Sequence, residues 1–339
     1  MRKAKYMTIV DPPAGIPGGE VAIEISGARG NAPARAWFGG VEAHTVASSS
    51  NRALVLVPEV NRRTAVAVTT AEHQDVESAE FIAGRLLLDE VHPVTNPAFD
   101  PTDGSLMTTR SGSRGERVPV SLFRVDPDGK IEDFSGDITN PTSIAFDSRG
   151  RMFVTSRLDG AVYRVTELKE VVLFADELGI ATGLAFGPDG TMFVGDRTGT
   201  IYRINEIGEA KAWAELEPSV SAYHLAFGPD GGLYVAGPTV STFDAITRFD
   251  EDGNPRIFYQ GLGRPQGLAF DREGNLYLAA SLRGRRGIAR ITPDGNEAKL
   301  VVAGMNLVGL AFSPRGEMVV ATNRSLYSLP LGIYGALLG

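Results

Sequence analysis

The residues of this chain best suited to chemistry are arginines at a fixed place in a recurring phrase. Arg110, Arg157 and Arg197 each stand 11 residues after a phenylalanine of that phrase, and Arg324 stands 12 after its own. Arg283, Arg285 and Arg286 follow the corresponding stretch of another repeat, and Arg114 and Arg117 follow Arg110. A guanidinium is a permanently charged planar fork that grips a carboxylate or phosphate through paired hydrogen bonds, so several converging on one mouth predict recognition of an anion or of an acidic protein segment. The plainer reading is that solvated loops carry arginine to keep a surface soluble. Tyr223, His224 and Gln266 stand just ahead of two repeated strands and are further candidates for such a mouth. His224 with Asp196 is the one pairing that suggests acid–base work. Against it, a histidine satisfied by a neighbouring backbone group and an aspartate in a structural ion pair fit the same positions.

Other chemistries find no residues. There is no cysteine among the 339 residues, which removes disulfides, thiolate catalysis and zinc–thiolate sites. There is no G-x-S-x-G elbow, phosphate loop, G-x-G-x-x-G or H-E-x-x-H motif, and His44, His73, His92 and His224 are scattered. No cofactor is expected. A formal net charge of −8 argues against general affinity for nucleic acid or anionic lipid, and no aromatics alternate with the arginines as base stacking would require. The start has no apolar run of signal-peptide type and no stretch reaches membrane-spanning length, so a cytoplasmic protein is the expectation.

The elements that must position these arginines come from one phrase repeated six times: NPAFDPTDGSLMTT, SIAFDSRGRMFVTS, GLAFGPDGTMFVGD, HLAFGPDGGLYVAG, GLAFDREGNLYLAA and GLAFSPRGEMVVAT. Its anchors, Phe99, Phe146, Phe186, Phe227, Phe270 and Phe312, are spaced by 47, 40, 41, 43 and 42 residues, the length of a four-stranded propeller blade. Each phrase reads as two strands around a tight turn. A third strand echoes as SLFRV, AVYRV, TIYRI, AITRF, GIARI and SLYSL, and a less regular fourth follows. The last repeat lacks a fourth strand, whereas Arg85–Leu88 is an orphan ahead of the first. This segment is expected to complete the sixth blade and close the ring, the alternative being that the apolar tail IYGALLG supplies its own strand or plugs a partner.

Strand order in such a ring sorts charge by face. Turns after first and third strands carry many aspartates, while loops after second and fourth strands carry the arginines, so one face should be acidic and the other basic. The loops 110–120, 237–245 and 281–287 project from the basic face, where recognition is expected.

Residues 7–83 lack the phrase but hold short β-rich runs at Val21–Ile25, Leu54–Val57 and Thr64–Thr69 between Gly, Pro, Ser and Asn clusters, which suggests a small sandwich. The placements Gly18-Gly19, Phe38-Gly39-Gly40 and Val57-Pro58 resemble the IPT/TIG family of Ig-like domains, which implies a spacer or docking module. The run from Arg264 to Ala279, RPQGLAFDREGNLYLA, resembles a blade of the NHL-repeat and SMP-30/gluconolactonase propellers. The expected fold is therefore all-β, an Ig-like β-sandwich over 1–83 and a six-bladed β-propeller over 84–339. The resemblance implies a divalent metal at the hub, held by acidic and amide residues ahead of the inner strands. Here those positions read Thr95, Thr142, Thr182 and Gln266, without a carboxylate, and a hard cation needs charged oxygen ligands. The functional expectation is a non-enzymatic binding or scaffolding protein, or a subunit of a larger assembly, whose mouth recognises a protein partner or a small anionic ligand through Arg110, Arg157, Arg197, Arg283, Arg324, Tyr223, His224 and Gln266. The alternative is a lactone or ester hydrolase with an altered metal site, using His224 and Asp196.

Overall fold

The structure, a computed structural model, describes residues 6–26, 35–49, 52–60, 66–70, 76–112 and 116–336. His73, Arg114, the first part of the run Thr64–Thr69 and the last three residues of the apolar tail lie outside the described residues. Within them every regular element is a strand.

Six antiparallel four-stranded units follow the six phrases. Blade 2 is typical: Pro141–Phe146, Met152–Ser156, Ala161–Val165 and Val171–Ala175 pair in sequence order. Blade 3 repeats the pattern with Ala181–Phe186, Met192–Asp196, Thr200–Ile204 and Ala210–Glu215. The inner strand of blade 1, Ala98–Phe99, lies against the inner strands of blade 2 and of blade 6, Leu307–Phe312, so the units close into a ring. Blade 6 takes its outer strand from the N-terminal side, Arg85 pairing with Ser328 and Leu86 with Tyr327 in antiparallel register. Among its described residues the tail forms no strand of its own. It crosses to blade 5, where Gly335 bridges Asp271 and the Ala336 N–H donates to the Phe270 carbonyl.

The anchor phenylalanines hold neighbouring blades together. Phe186 meets Phe153 of the preceding blade at 5.4 Å, Phe227 meets Phe193 at 5.2 Å, Phe270 meets Tyr234 at 4.8 Å and Phe312 meets Tyr277 at 5.2 Å, all edge-on. Edge-to-face pairs of this kind contribute about 0.5–1.5 kcal/mol each beyond area burial. Where the second strand offers an aliphatic side chain instead, Phe99 packs in one apolar cluster with Val319 and Phe146 in another with Met107. The phrase thus recurs because every interface needs its wedge.

The described N-terminal strands form two sheets that share one core, with Val21, Ile23, Phe38, Val55 and Phe81 buried between them. Phe38 meets Phe81 edge-on at 4.9 Å. The expected Ig-like sandwich is not set apart from the ring: Ala14–Gly15 adds to the outer strand of blade 5 at Ala303, so that sheet runs continuously into the ring. Arg285 of blade 5 fastens the same junction, donating to the Asp11 carboxylate at 2.6 Å and carbonyl at 2.9 Å.

Candidate functional site

Loops after second and fourth strands converge on one mouth, and a cavity of about 1100 Å³ opens there. Its charged lining consists of Arg157 from blade 2, Arg197 from blade 3, and Arg264, Arg283 and Arg286 from the approach to and the central hairpin of blade 5. Among the described residues no carboxylate lines it. None of the five guanidiniums has a carboxylate partner within ion-pair distance among the described residues. Two of them are held by backbone oxygens: Arg197 Nε donates to the Ser219 carbonyl at 3.1 Å and its Nη2 to Val220 at 3.2 Å, while Arg157 Nη2 reaches Gly112 at 3.4 Å. The pKa of Arg157 is lowered, chiefly by burial and then by the charge of Arg197. An anion between the two would relieve both effects.

Local sequence explains how the blade 5 arginines reach the mouth. Strands Leu276–Leu282 and Arg285–Ile291 pair in register as far as Leu282 opposite Arg285, which leaves Arg283-Gly284 as a two-residue turn with φ of 51° and 82°. A turn with both central residues at positive φ matches the twist of a hairpin, but favours Asn or Gly at the first position. An arginine held there costs about 1 kcal/mol or more. Arg264 also has positive φ, 49°, and its N–H donates to the buried Asp244 carboxylate at 3.2 Å. The rest of the lining is mixed, with Ile180, Val220, Phe243 and Val308 beside Thr182, Ser221, Gln266 and Asn306, and Phe243 is 62% exposed.

The predicted residues divide. Arg157, Arg197, Arg283 and Gln266 line the cavity, while Arg110, Arg324, Tyr223 and His224 do not. Arg324 is turned aside and neutralised, its Nε 3.3 Å from Asp89 and its Nη2 hydrogen-bonded to Glu90. Tyr223 is buried, donates its hydroxyl to the Glu217 carbonyl and is pushed up to about 12 by burial, then by Asp196 and Glu217. His224 is 4% exposed, its Nε2 has no partner, and burial alone lowers its pKa to about 3. It is not hydrogen-bonded to Asp196, which instead accepts from the Ile180 N–H at 2.8 Å, the Thr198 N–H at 3.1 Å and the Thr198 hydroxyl. The pair suggested by sequence is thus two separate structural groups. Sequence reasoning missed Arg264 and Phe243, although the loop carrying Phe243 was marked for recognition. Arg264 stands just ahead of an inner strand beside Gln266, and that adjacency was the available signal.

The aspartates of the opposite face serve mainly as turn caps. Asp147 Oδ1 accepts the Arg149 and Arg151 N–H groups at 2.9 and 2.8 Å, Asp271 Oδ1 those of Glu273 and Asn275 at 3.0 and 2.8 Å, and the Ser313 hydroxyl replaces the carboxylate in blade 6.

A divalent cation of the kind the resemblance implies does not fit this hub. The Thr95 hydroxyl donates to the Thr142 carbonyl at 2.7 Å and that of Thr182 to Gly195 at 2.9 Å, so these oxygens fasten inner strands. Among the described residues no group of three His, Cys, Asp or Glu could hold a metal. The charged side chains that line the cavity together with Gln266 are all arginines, which repel a cation. Asn96 is likewise structural: its Nδ2 donates to the Leu268 carbonyl at 2.9 Å and its Oδ1 accepts the Leu310 N–H at 3.0 Å, tying blades 5 and 6 together. Gly267 and Gly309 make room, since a Cβ on either would meet Asn96.

No family model and no curated protein matches the sequence. Solved structures do match in fold. A gluconolactonase from Xanthomonas campestris is 20% identical, with a TM-score of 0.59 over 73% of this chain and 89% of that one. A calcium-binding protein, regucalcin, from Agrobacterium tumefaciens is 18% identical, with 0.58 over 76% and 98%. An auxiliary nutrient binding protein from Bacteroides ovatus is 15% identical, with 0.55 over 96% and 98%, a match that extends through the N-terminal sheets. The chain therefore has the β-propeller fold of these structures. Among the described residues no helix is long and apolar enough to cross a membrane.

Proposed function

We propose that this chain is a small-molecule propeller of the gluconolactonase kind whose mouth holds an organic anion. The observation that carries the reading is a cavity of about 1100 Å³ lined by five arginines and no carboxylate. That volume suits a small ligand, and fixed guanidiniums recognise carboxylates and phosphates by charge and geometry together. The gluconolactonase-like neighbours favour the hydrolase alternative over a non-enzymatic scaffold, so opening of a lactone or ester at the same mouth is the second reading. The N-terminal sheets, 1–83, act in this proposal as an IPT/TIG-type Ig-like module docked on blade 5, and residues 84–339 as the ligand-binding ring.

The test is calorimetric titration with sugar acids and phosphates at low and high salt, alongside an assay for aldonolactone opening with and without chelator. Binding that weakens with salt and is lost in Arg157→Glu/Arg197→Glu is the expected result. Wild-type affinity in that double variant would remove the site. Turnover that chelation abolishes would restore a metal-dependent hydrolase in place of the anion site.

A further inference from the structure

Resting on the anion reading above, we propose that the ligand is an organic anion charged at both ends that spans the mouth, one anionic group held by Arg157 and Arg197 and the other by Arg264, Arg283 and Arg286. In a ring of six, blade 2 stands opposite blade 5. Arg157 belongs to blade 2 and its neighbour Arg197 to blade 3, whereas Arg264 leads into blade 5 and Arg283 and Arg286 sit on its central hairpin. The guanidiniums thus form two sets facing each other across the cavity rather than an even collar.

Each set is built for its own charge. Arg157 and Arg197 lie close enough for the second to oppose the charge of the first, and both reach only backbone carbonyls. On the other side Arg264 and Arg283 are kept in left-handed backbone conformations, which fixes where their side chains begin. One singly charged ligand would leave one set facing unneutralised positive charge in a half-enclosed space. A ligand charged at both ends satisfies both, with Ile180, Val220, Phe243 and Val308 covering its body. Phe243, largely exposed at the rim, is positioned to cover that body on binding.

The experiment compares pairs that share a six-carbon skeleton and differ in charged ends: gluconate against glucarate, and glucose 6-phosphate against glucose 1,6-bisphosphate, titrated calorimetrically at low ionic strength. The member of each pair that is charged at both ends, glucarate or the bisphosphate, should bind about tenfold tighter or better, since the second contact is made at no further cost in overall freedom. The pair with the larger gap identifies carboxylate or phosphate as the favoured group. Arg157→Gln/Arg197→Gln and Arg283→Gln/Arg286→Gln should each reduce the two-ended member to the affinity of its one-ended counterpart. Equal affinity within both pairs overturns the two-ended ligand while leaving the anion site standing, and binding of none of the four overturns the anion site itself. Discrimination that survives either double variant also overturns the two-sided arrangement.

Discussion

Removing His224 should abolish a defined part of this protein's acid sensitivity. The imidazole is buried in the inner strand His224–Phe227 with Nε2 unpartnered, and burial lowers its pKa to about 3 from 6.5. As pH falls below about 6.5 the unfolded chain takes up a proton there that the folded chain refuses until about pH 3, so the unfolded state gains. The stability contributed by keeping the ring neutral is complete above pH 6.5 and is lost progressively as pH falls through that window. Between about pH 7.5 and about pH 5 the loss from this one group is about 2 kcal/mol. Urea unfolding of wild type and His224→Leu at both pH values isolates it, because the carboxylates titrate alike in both proteins. The wild type should lose about 2 kcal/mol more than the variant. Equal losses would refute the buried neutral imidazole, as would a wild-type His224 Cε1–H resonance that titrates between about pH 5 and about pH 8, a readout that survives failure of the variant to fold. The same result bears on function, since a group that ionises only near pH 3 is a poor general base at neutral pH.

Asn96→Ala leaves the Leu268 carbonyl and the Leu310 N–H without their partner and should cost about 2–4 kcal/mol, measured by chemical denaturation with no change in the unfolding slope. Arg324→Ala, whose parent side chain is paired with Asp89 and Glu90 outside the cavity, should leave anion affinity unchanged, whereas Arg157→Ala should weaken it by about tenfold. Equal effects in calorimetry would mean that charge on this face acts as a general field. Asp147→Ala frees two turn N–H groups and the Arg151 guanidinium and should destabilise by about 1–2 kcal/mol without altering ligand binding.

The sequence by itself determined the ring. Turn chemistry, period-2 alternation and the spaced phenylalanines are local signals repeated six times, and each blade obeys the same short-range rules. The closure was legible as an expectation, an orphan strand at Arg85–Leu88 for the one missing after Leu329, and the structure chose it over the strand that the tail could have supplied. The sorting of loops onto two faces followed from strand order alone, which is why Arg157, Arg197 and Arg283, expected on one face, line one cavity. The tertiary structure alone decided which charges remain free. Arg324 shares the phrase position of Arg157 and Arg197 almost to the residue, yet meets Asp89 from 235 positions earlier in the chain. The turn aspartates, suggestive as an acidic face, spend their oxygens on N–H groups two and four residues away. His224 loses its protonation to burial by neighbours that no pattern names. Backbone geometry propagates locally and so is written in local sequence. Whether a side chain is paired, buried or presented to a ligand depends on what the fold brings beside it, and only the closed ring fixes that.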